Sequence, residues 1–197
     1  MRRSEHPFKD CWALPGGFVK VMESRHQQGE DVDEAAAREL HEETRLDPRN
    51  VYLEQLYTFG KAGRDPRMRV VTVAYYALVR PDLAPFVEAG GDVYGATWHS
   101  AGKLPKLAFD HAEIIEMAIE RVRGKIDYTN LAFELVPPTF TIAELRAVHE
   151  VLKGAHYDPG NFRRRFQRML TDGVIARAPG KRHTASKPAL VYRFVRP

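Results

Sequence analysis

Two adjacent prolines, Pro137 and Pro138, constrain what this 197-residue chain can fold into more than any other feature. Proline fixes φ and carries no amide hydrogen, so a pair of them cannot continue a helix and resists a central strand. The run VPPTF, Val136–Phe140, therefore predicts a boundary, with one domain over 1–136 and a second over 137–197. Charge divides the same two segments. From Pro137 onward twelve Lys and Arg stand against four Asp and Glu, whereas Met1–Val136 holds eighteen against twenty-two. A basic rear segment behind an acidic front one points to a polyanionic partner for the rear.

Composition excludes several classes. An apolar share of 44% and a charged share of 28% are those of a globular domain. No apolar run approaches the roughly 20 residues that span a bilayer, and the basic start, MRRSEHPFKD, lacks the apolar stretch of a signal peptide. Cys11 is the single cysteine, which rules out an intrachain disulfide or a cysteine-built zinc site and fits a reducing cytoplasm.

Periodicity places the elements. WALPGG, residues 12–17, reads as a short strand ending in a glycine turn, and a helix is expected from about Asp33 to Thr44. Val51–Phe59 and Val70–Val79 read as strands around the turn GKAGRDPR, with a further short strand at Ala96–His99. Asp110 opens a helix that Gly124 is expected to end. In the rear, Thr141 with Glu144 forms a capping box, Gly154 stops that helix, and Asp158–Pro159 starts another. Two strands, Val174–Ala178 and Ala189–Val195, close the chain around the basic loop PGKRHTASKP.

The stretch AARELHEETRL carries the front domain's chemistry. On a helix Glu39, Glu42 and Glu43 stand at i, i+3 and i+4, so their carboxylates share one face. Three like charges together favour a cation among them, and a hard Mg²⁺ or Mn²⁺ with oxygen ligands suits such a set. A metal held there would bridge a diphosphate and activate water. Arg38 is placed to pair with Glu42 or Glu34.

The run Arg38-Glu39-Leu40-His41-Glu42-Glu43 resembles the core of the Nudix box, G-x5-E-x7-R-E-U-x-E-E-x-G-U, and WALPGGFV and LAFDHAEII resemble its usual neighbours. The resemblance implies an α/β/α sandwich with a mixed sheet. It also implies action on a nucleoside diphosphate linked to another moiety, with Glu39, Glu42 and Glu43 as metal-handling, catalytic carboxylates. Three departures accompany it. From Gly17, Glu23 satisfies the first spacing but lies 14 residues short of Arg38, whereas Glu30 has the right spacing to Arg38, so about seven residues are inserted. Arg45 replaces the glycine after the helix, where a left-handed residue is often needed. The β-hairpin that ordinarily precedes WALPGG is missing, and an upstream start is the expectation.

The rear domain reads as a winged helix-turn-helix. Phe162, Phe166, Met169 and Leu170 form the apolar stripe of DPGNFRRRFQRML. Asn161, Arg163, Arg164, Arg165 and Arg168 populate the remaining surface, types suited to base edges and phosphates. Lys181, Arg182 and Lys187 lie in the expected wing.

Taken together, YLEQLYTFG, RDPR, VAYYALV, PPTFT, ELRAV and NFRRR resemble the Nudix-related transcriptional regulators of NAD metabolism, the NrtR family. That resemblance implies a cytoplasmic, nucleoid-associated homodimer with no membrane partner. It would bind double-stranded operator DNA and repress NAD-biosynthesis genes until ADP-ribose, or a related nucleotide-sugar diphosphate, releases it. Arg38, Arg64, Arg67 and Arg69 are the expected grips on that ligand. The alternatives are an active ADP-ribose pyrophosphatase, or a regulator of sugar utilisation with the same architecture.

Overall fold

The computed structural model describes residues 1–21, 29–84, 96–183 and 187–195, arranged as two compact units, Met1–Ile119 and Glu120–Pro197. Among the described residues no helix is long and apolar enough to cross a membrane.

In the front unit, helix α1 spans Val32–Thr44. Glu34 reaches back to accept a hydrogen bond from the Asp31 amide at 3.1 Å, which satisfies a donor the first turn leaves open. Arg45 ends the helix in the left-handed region at φ 61°, donating its amide to the His41 carbonyl at 2.9 Å. The turn is thus kept, and an arginine occupies a conformation that costs a side-chain-bearing residue about 1–2 kcal/mol. Strands β1, Tyr52–Phe59, and β2, Thr72–Leu78, pair antiparallel from Tyr52↔Leu78 to Phe59↔Thr72, with a bulge between Gln55 and Tyr57. Leu56, Phe59, Ala74 and Tyr76 are buried along this ribbon, and Ala35, Leu46, Ala108 and Ile114 are the other buried apolar residues among those described in the unit.

Helix α2 covers His111–Lys125 and does not stop at Gly124. That glycine is outside the left-handed region a terminating glycine adopts, and the Ile126 amide still bonds the Val122 carbonyl at 3.1 Å. WALPGG is a strand only at Trp12, which bridges Arg2 and Leu107. Pro15 lacks a donor and Gly16 turns away at φ 149°, so pairing cannot extend through them. Ala96–His99 forms no strand among the described residues.

In the rear unit, α3 (Ile142–Lys153) begins with the expected capping box. The Glu144 amide donates to Thr141 Oγ1 at 3.2 Å, and the Thr141 amide donates to Glu144 at 2.7 Å. Gly154 ends it at φ 69°. Helix α4 (Pro159–Thr171) starts with Asp158 accepting from the Asn161 amide at 2.8 Å and with proline in the first turn, where its missing donor costs nothing. Strands β3, Ile175–Arg182, and β4, Ala189–Phe194, form an antiparallel ribbon. The first runs on through Pro179 and Gly180, expected in the loop. A register shift between Arg177 and Lys181 accommodates the proline, with Gly180 at φ 89°. Phe140 pairs with Tyr192 through two backbone bonds of 2.8 Å, adding an edge to the ribbon. The core is made of Ile126, Leu131, Phe140, Leu145, Phe162, Phe166, Ile175 and Val191.

Candidate ligand site and nucleic-acid interface

Arg38 is the centre of the carboxylate face of α1. Its guanidinium holds Glu30 with two bonds, 2.9 Å from Nε and 2.6 Å from Nη2. Nη1 reaches Glu39 at 2.6 Å and Glu42 at 3.0 Å, and Nη2 also donates to the Phe18 carbonyl at 3.3 Å. Of the two candidates for the early box glutamate, Glu30 is therefore the one that Arg38 engages, and Glu23 lies outside the described residues. The Arg38 hydrogen bonds, followed by that from the Lys20 amide, hold the Glu30 carboxyl down to about 2. The Glu30 amide also donates to the Lys20 carbonyl at 3.0 Å, and the Lys20 amide to Glu30 Oε1 at 2.8 Å, which closes Lys20 and Glu30 as a pair. Gly29 is needed at that closure, since a Cβ there would stand 2.6 Å from the Lys20 carbonyl oxygen.

Glu43 points elsewhere, accepting from the Gly16 amide at 2.7 Å. Burial pushes its carboxyl up to about 7, with repulsion from Glu39 and Glu42 adding to the effect and the Gly16 hydrogen bond opposing it. The PGG turn is thus clasped from both sides of α1, because a Cβ on Gly17 would stand 2.3 Å from Glu39 Oε1. Glu39 and Glu42 each offer one oxygen to Arg38, and Glu43 offers one to the Gly16 amide. The single charge of Arg38 stands against Glu30, Glu39 and Glu42, so the face keeps a net negative charge, and Glu39, Glu42 and Glu43 are the residues that would hold a divalent cation. No preformed cluster of three or more metal-ligating side chains is found among the described residues.

The RDPR arginines are engaged at the start of α2. Arg64 grips Asp110 with two bonds, 2.8 and 2.7 Å, and also donates to Thr72; its side chain is only 6% exposed. Arg67 grips Asp65 at 3.0 and 2.7 Å and lies over the Phe109 ring, 5.4 Å from its centroid. Arg69 is exposed and donates to the Lys61 and Val70 carbonyls at 3.3 Å. Beside them the Leu14 amide donates to His111 Nδ1 at 3.0 Å, which anchors the WALPGG stretch. Burial lowers His111 to about 4, so the ring is neutral and free to accept.

In the rear unit, Phe162 and Phe166 bury one stripe of α4 and leave Asn161, Arg163, Arg164 and Arg168 exposed. Arg164 donates to the Asn161 side chain, which aligns the two. Arg165 and Arg182 are half-buried and engaged by other segments of the unit. Arg165 donates to the Ile126 and Asp127 carbonyls at 3.2 and 3.4 Å. Arg182 pairs with Glu144 of the capping box and donates to the Thr139 carbonyl at 2.8 Å. Lys181 is exposed on β3, and Lys187 is exposed just before β4. Sequence reasoning missed Asp127, on which Lys153, Tyr157 and Arg165 converge, and His149, buried between Tyr157 and Phe162. No local spacing links these residues.

These two units define a class of protein in which a diphosphate-handling type of fold and a winged helix share one chain. The family comparisons agree with that division. A NUDIX domain model matches residues 1–118, and the NrtR DNA-binding winged helix domain matches 132–194. The chain is 36% identical over 195 residues to the ADPR responsive transcriptional repressor NtrR of Acinetobacter baylyi, covering 98% of this chain and 74% of that protein. It is 40% identical over 116 residues to the ADP-ribose pyrophosphatase of Methanocaldococcus jannaschii, 59% of this chain and 62% of that one. Its fold matches that of Shewanella oneidensis NrtR complexed with a 27mer DNA with a TM-score of 0.80 at 33% identity, over 98% of this chain and 84% of the other. The chain belongs to the NrtR family of Nudix-related transcription regulators.

Proposed function

We propose that this protein is a cytoplasmic, nucleoid-associated transcriptional repressor whose winged helix holds operator DNA and whose Nudix unit releases it on binding ADP-ribose or a related nucleotide-sugar diphosphate. The observation that carries the reading is the pairing, on one chain, of a Nudix unit with a DNA-binding winged helix. It is supported by likeness over nearly the whole chain to a relative that responds to ADPR and to another complexed with DNA. NAD-biosynthesis genes are the proposed targets. The proposed DNA contacts are Asn161, Arg163, Arg164 and Arg168 on α4, Lys181 on β3 and Lys187 just before β4, all exposed. As a homodimer, the chain would set two α4 helices about 34–36 Å apart, one DNA turn. Ligand control then requires a difference in ligand affinity between the DNA-competent and released states of about 1–3 kcal/mol.

Fluorescence anisotropy with promoter DNA of NAD-biosynthesis genes, titrated with and without ADP-ribose, tests this reading. Specific binding that ADP-ribose reverses is the expected result. Specific binding indifferent to ADP-ribose would remove the sensor role. A second reading, an active ADP-ribose pyrophosphatase, is favoured by one observation: Glu39, Glu42 and Glu43 are all retained on α1, in a chain 40% identical over 116 residues to an archaeal enzyme of that name.

A further inference from the structure

Asp127 lies in the turn after α2, within the rear unit. Three side chains from three separate segments converge on its carboxylate. Lys153 at the end of α3 forms an ion pair with it. Tyr157, between α3 and α4, donates its hydroxyl at 3.4 Å, and Arg165 of α4 approaches with Nη1 at 3.7 Å. The same turn is held by backbone acceptors, since Arg165 Nη2 reaches the Ile126 carbonyl at 3.2 Å and Lys153 Nζ reaches that of Arg123 at 3.4 Å. Arg163 and Arg164, the neighbours of Arg165, are exposed, whereas the Arg165 side chain is 23% exposed.

Building on the DNA-binding reading above, we propose that Asp127 is a positioning residue for DNA binding: through Arg165 it fixes the roll of α4 about its own axis. Phe162 and Phe166 seat α4 on the core, but an apolar stripe resists lifting better than rolling, because greasy contacts are not directional. A guanidinium tethered beside that stripe supplies the missing direction. Successive residues on a helix stand about 100° apart, so the roll decides whether Arg163, Arg164 and Arg168 meet base edges. Recognition of this kind tolerates only about 10–20° of misalignment. On this proposal the arginine triplet divides its labour, with Arg163 and Arg164 facing outward and Arg165 inward.

The test has a sign. An acidic side chain near a DNA-binding face repels phosphate, so if Asp127 acted only through its charge, neutralising it would strengthen DNA binding. The probe is the duplex that the wild-type full-length chain enriches most from a random-sequence pool, measured by anisotropy against a scrambled duplex of equal length. Asp127→Asn and Arg165→Met are each expected to weaken binding to the selected duplex on the order of tenfold, the scale of one lost base contact. Affinity for the scrambled duplex and the slope of log affinity against log salt stay at wild-type values, because no phosphate contact is lost. The double variant is no worse than Arg165→Met alone, since that change already removes the guanidinium through which Asp127 acts. Asp127→Glu, which keeps the carboxylate, restores most of the lost affinity and separates loss of the tether from loss of the fold. Tighter or unchanged binding by Asp127→Asn would overturn the proposal, as would a salt slope lowered by about one in Arg165→Met. Failure of the wild type to enrich any duplex would instead overturn the DNA-binding reading on which the proposal stands.

Discussion

The two units organise charge in opposite ways. In the front unit one cation, Arg38, gathers three carboxylates, Glu30, Glu39 and Glu42. In the rear unit one anion, Asp127, gathers two cations and a phenol, Lys153, Arg165 and Tyr157. The acidic unit carries an acidic face with a cationic hub, and the basic unit a basic face with an anionic hub. In each, the hub removes some of the surface charge from the pool available to a partner. The exposed cations left on α4, Arg163, Arg164 and Arg168, stand away from that hub. On α1 the hub takes one oxygen each from Glu39 and Glu42.

The comparison breaks first at its most buried point. Arg64 and Asp110 form a charge pair with side chains 6% and 13% exposed, and Arg64 was expected from sequence to grip ligand. Arg64→Met leaves a buried carboxylate uncompensated and should destabilise the front unit by about 3–5 kcal/mol. Urea denaturation followed alongside ADP-ribose binding separates the roles. A frame residue loses stability and binding together, whereas a ligand-gripping residue loses binding with the melt unchanged.

Next comes His149, which packs edge-on against Tyr157 and Phe162 beside the rear hub. It is 1% exposed, and neither ring nitrogen has a hydrogen-bond partner. Burial, reinforced by the nearby Arg165 charge, lowers it from 6.5 to about 4. Between those values the unfolded chain binds a proton that the folded chain refuses. Its stabilising contribution is thus complete above pH 6.5 and is lost as pH falls toward 4, on the order of 3 kcal/mol in all. Urea melts at pH 7 and pH 4.5 should show the loss, and His149→Phe should remove this component of the pH dependence. An equal loss in that variant would place the titration elsewhere.

Arg38→Gln ranks third, since its partners are only partly buried. Loss of the charged hydrogen bonds to Glu39 and Glu30 should cost about 1–3 kcal/mol in the front unit. It also frees three carboxylates that then repel one another, so Mg²⁺ should raise the melting temperature of the variant more than that of the wild type. Equal gains would mean that the wild-type hub already yields to a metal.

Legibility in sequence followed the range of the interaction. Glu39, Glu42 and Glu43 were readable because helical periodicity alone puts them on one face, and so were the caps at Thr141, Gly154 and Asp158, each set within four residues. The left-handed turn at Arg45 followed from a motif position. The partners of Arg64 and Arg165 were not readable, since they lie 46 and 38 residues away and are chosen by packing. Exposure separates the members of the RRR triplet, and exposure depends on which stripe the core buries. WALPGG failed as a strand for a local reason, a proline followed by a glycine beyond β geometry, which its apolar start masked.

Glu42→Gln gives the smallest structural effect and the sharpest functional separation. Glu42 is the outermost partner of Arg38, its side chain half exposed, and it contributes as an ordinary i,i+4 pair. Its loss should cost about 0.2–0.5 kcal/mol, near the limit of a melt. The amide of glutamine still offers an oxygen to Arg38, so the hub persists around Glu30 and Glu39. A hydrolase that depends on this carboxylate would lose turnover of ADP-ribose while its fold is untouched. A sensor would keep ADP-ribose binding and ADP-ribose-dependent DNA release. Measuring phosphate-ester products and DNA release on the same preparation decides between them, because hydrolysis lost with release retained would make occupancy, not turnover, the signal that reaches the DNA. Release lost together with hydrolysis would make turnover, rather than occupancy, the signal that reaches the DNA.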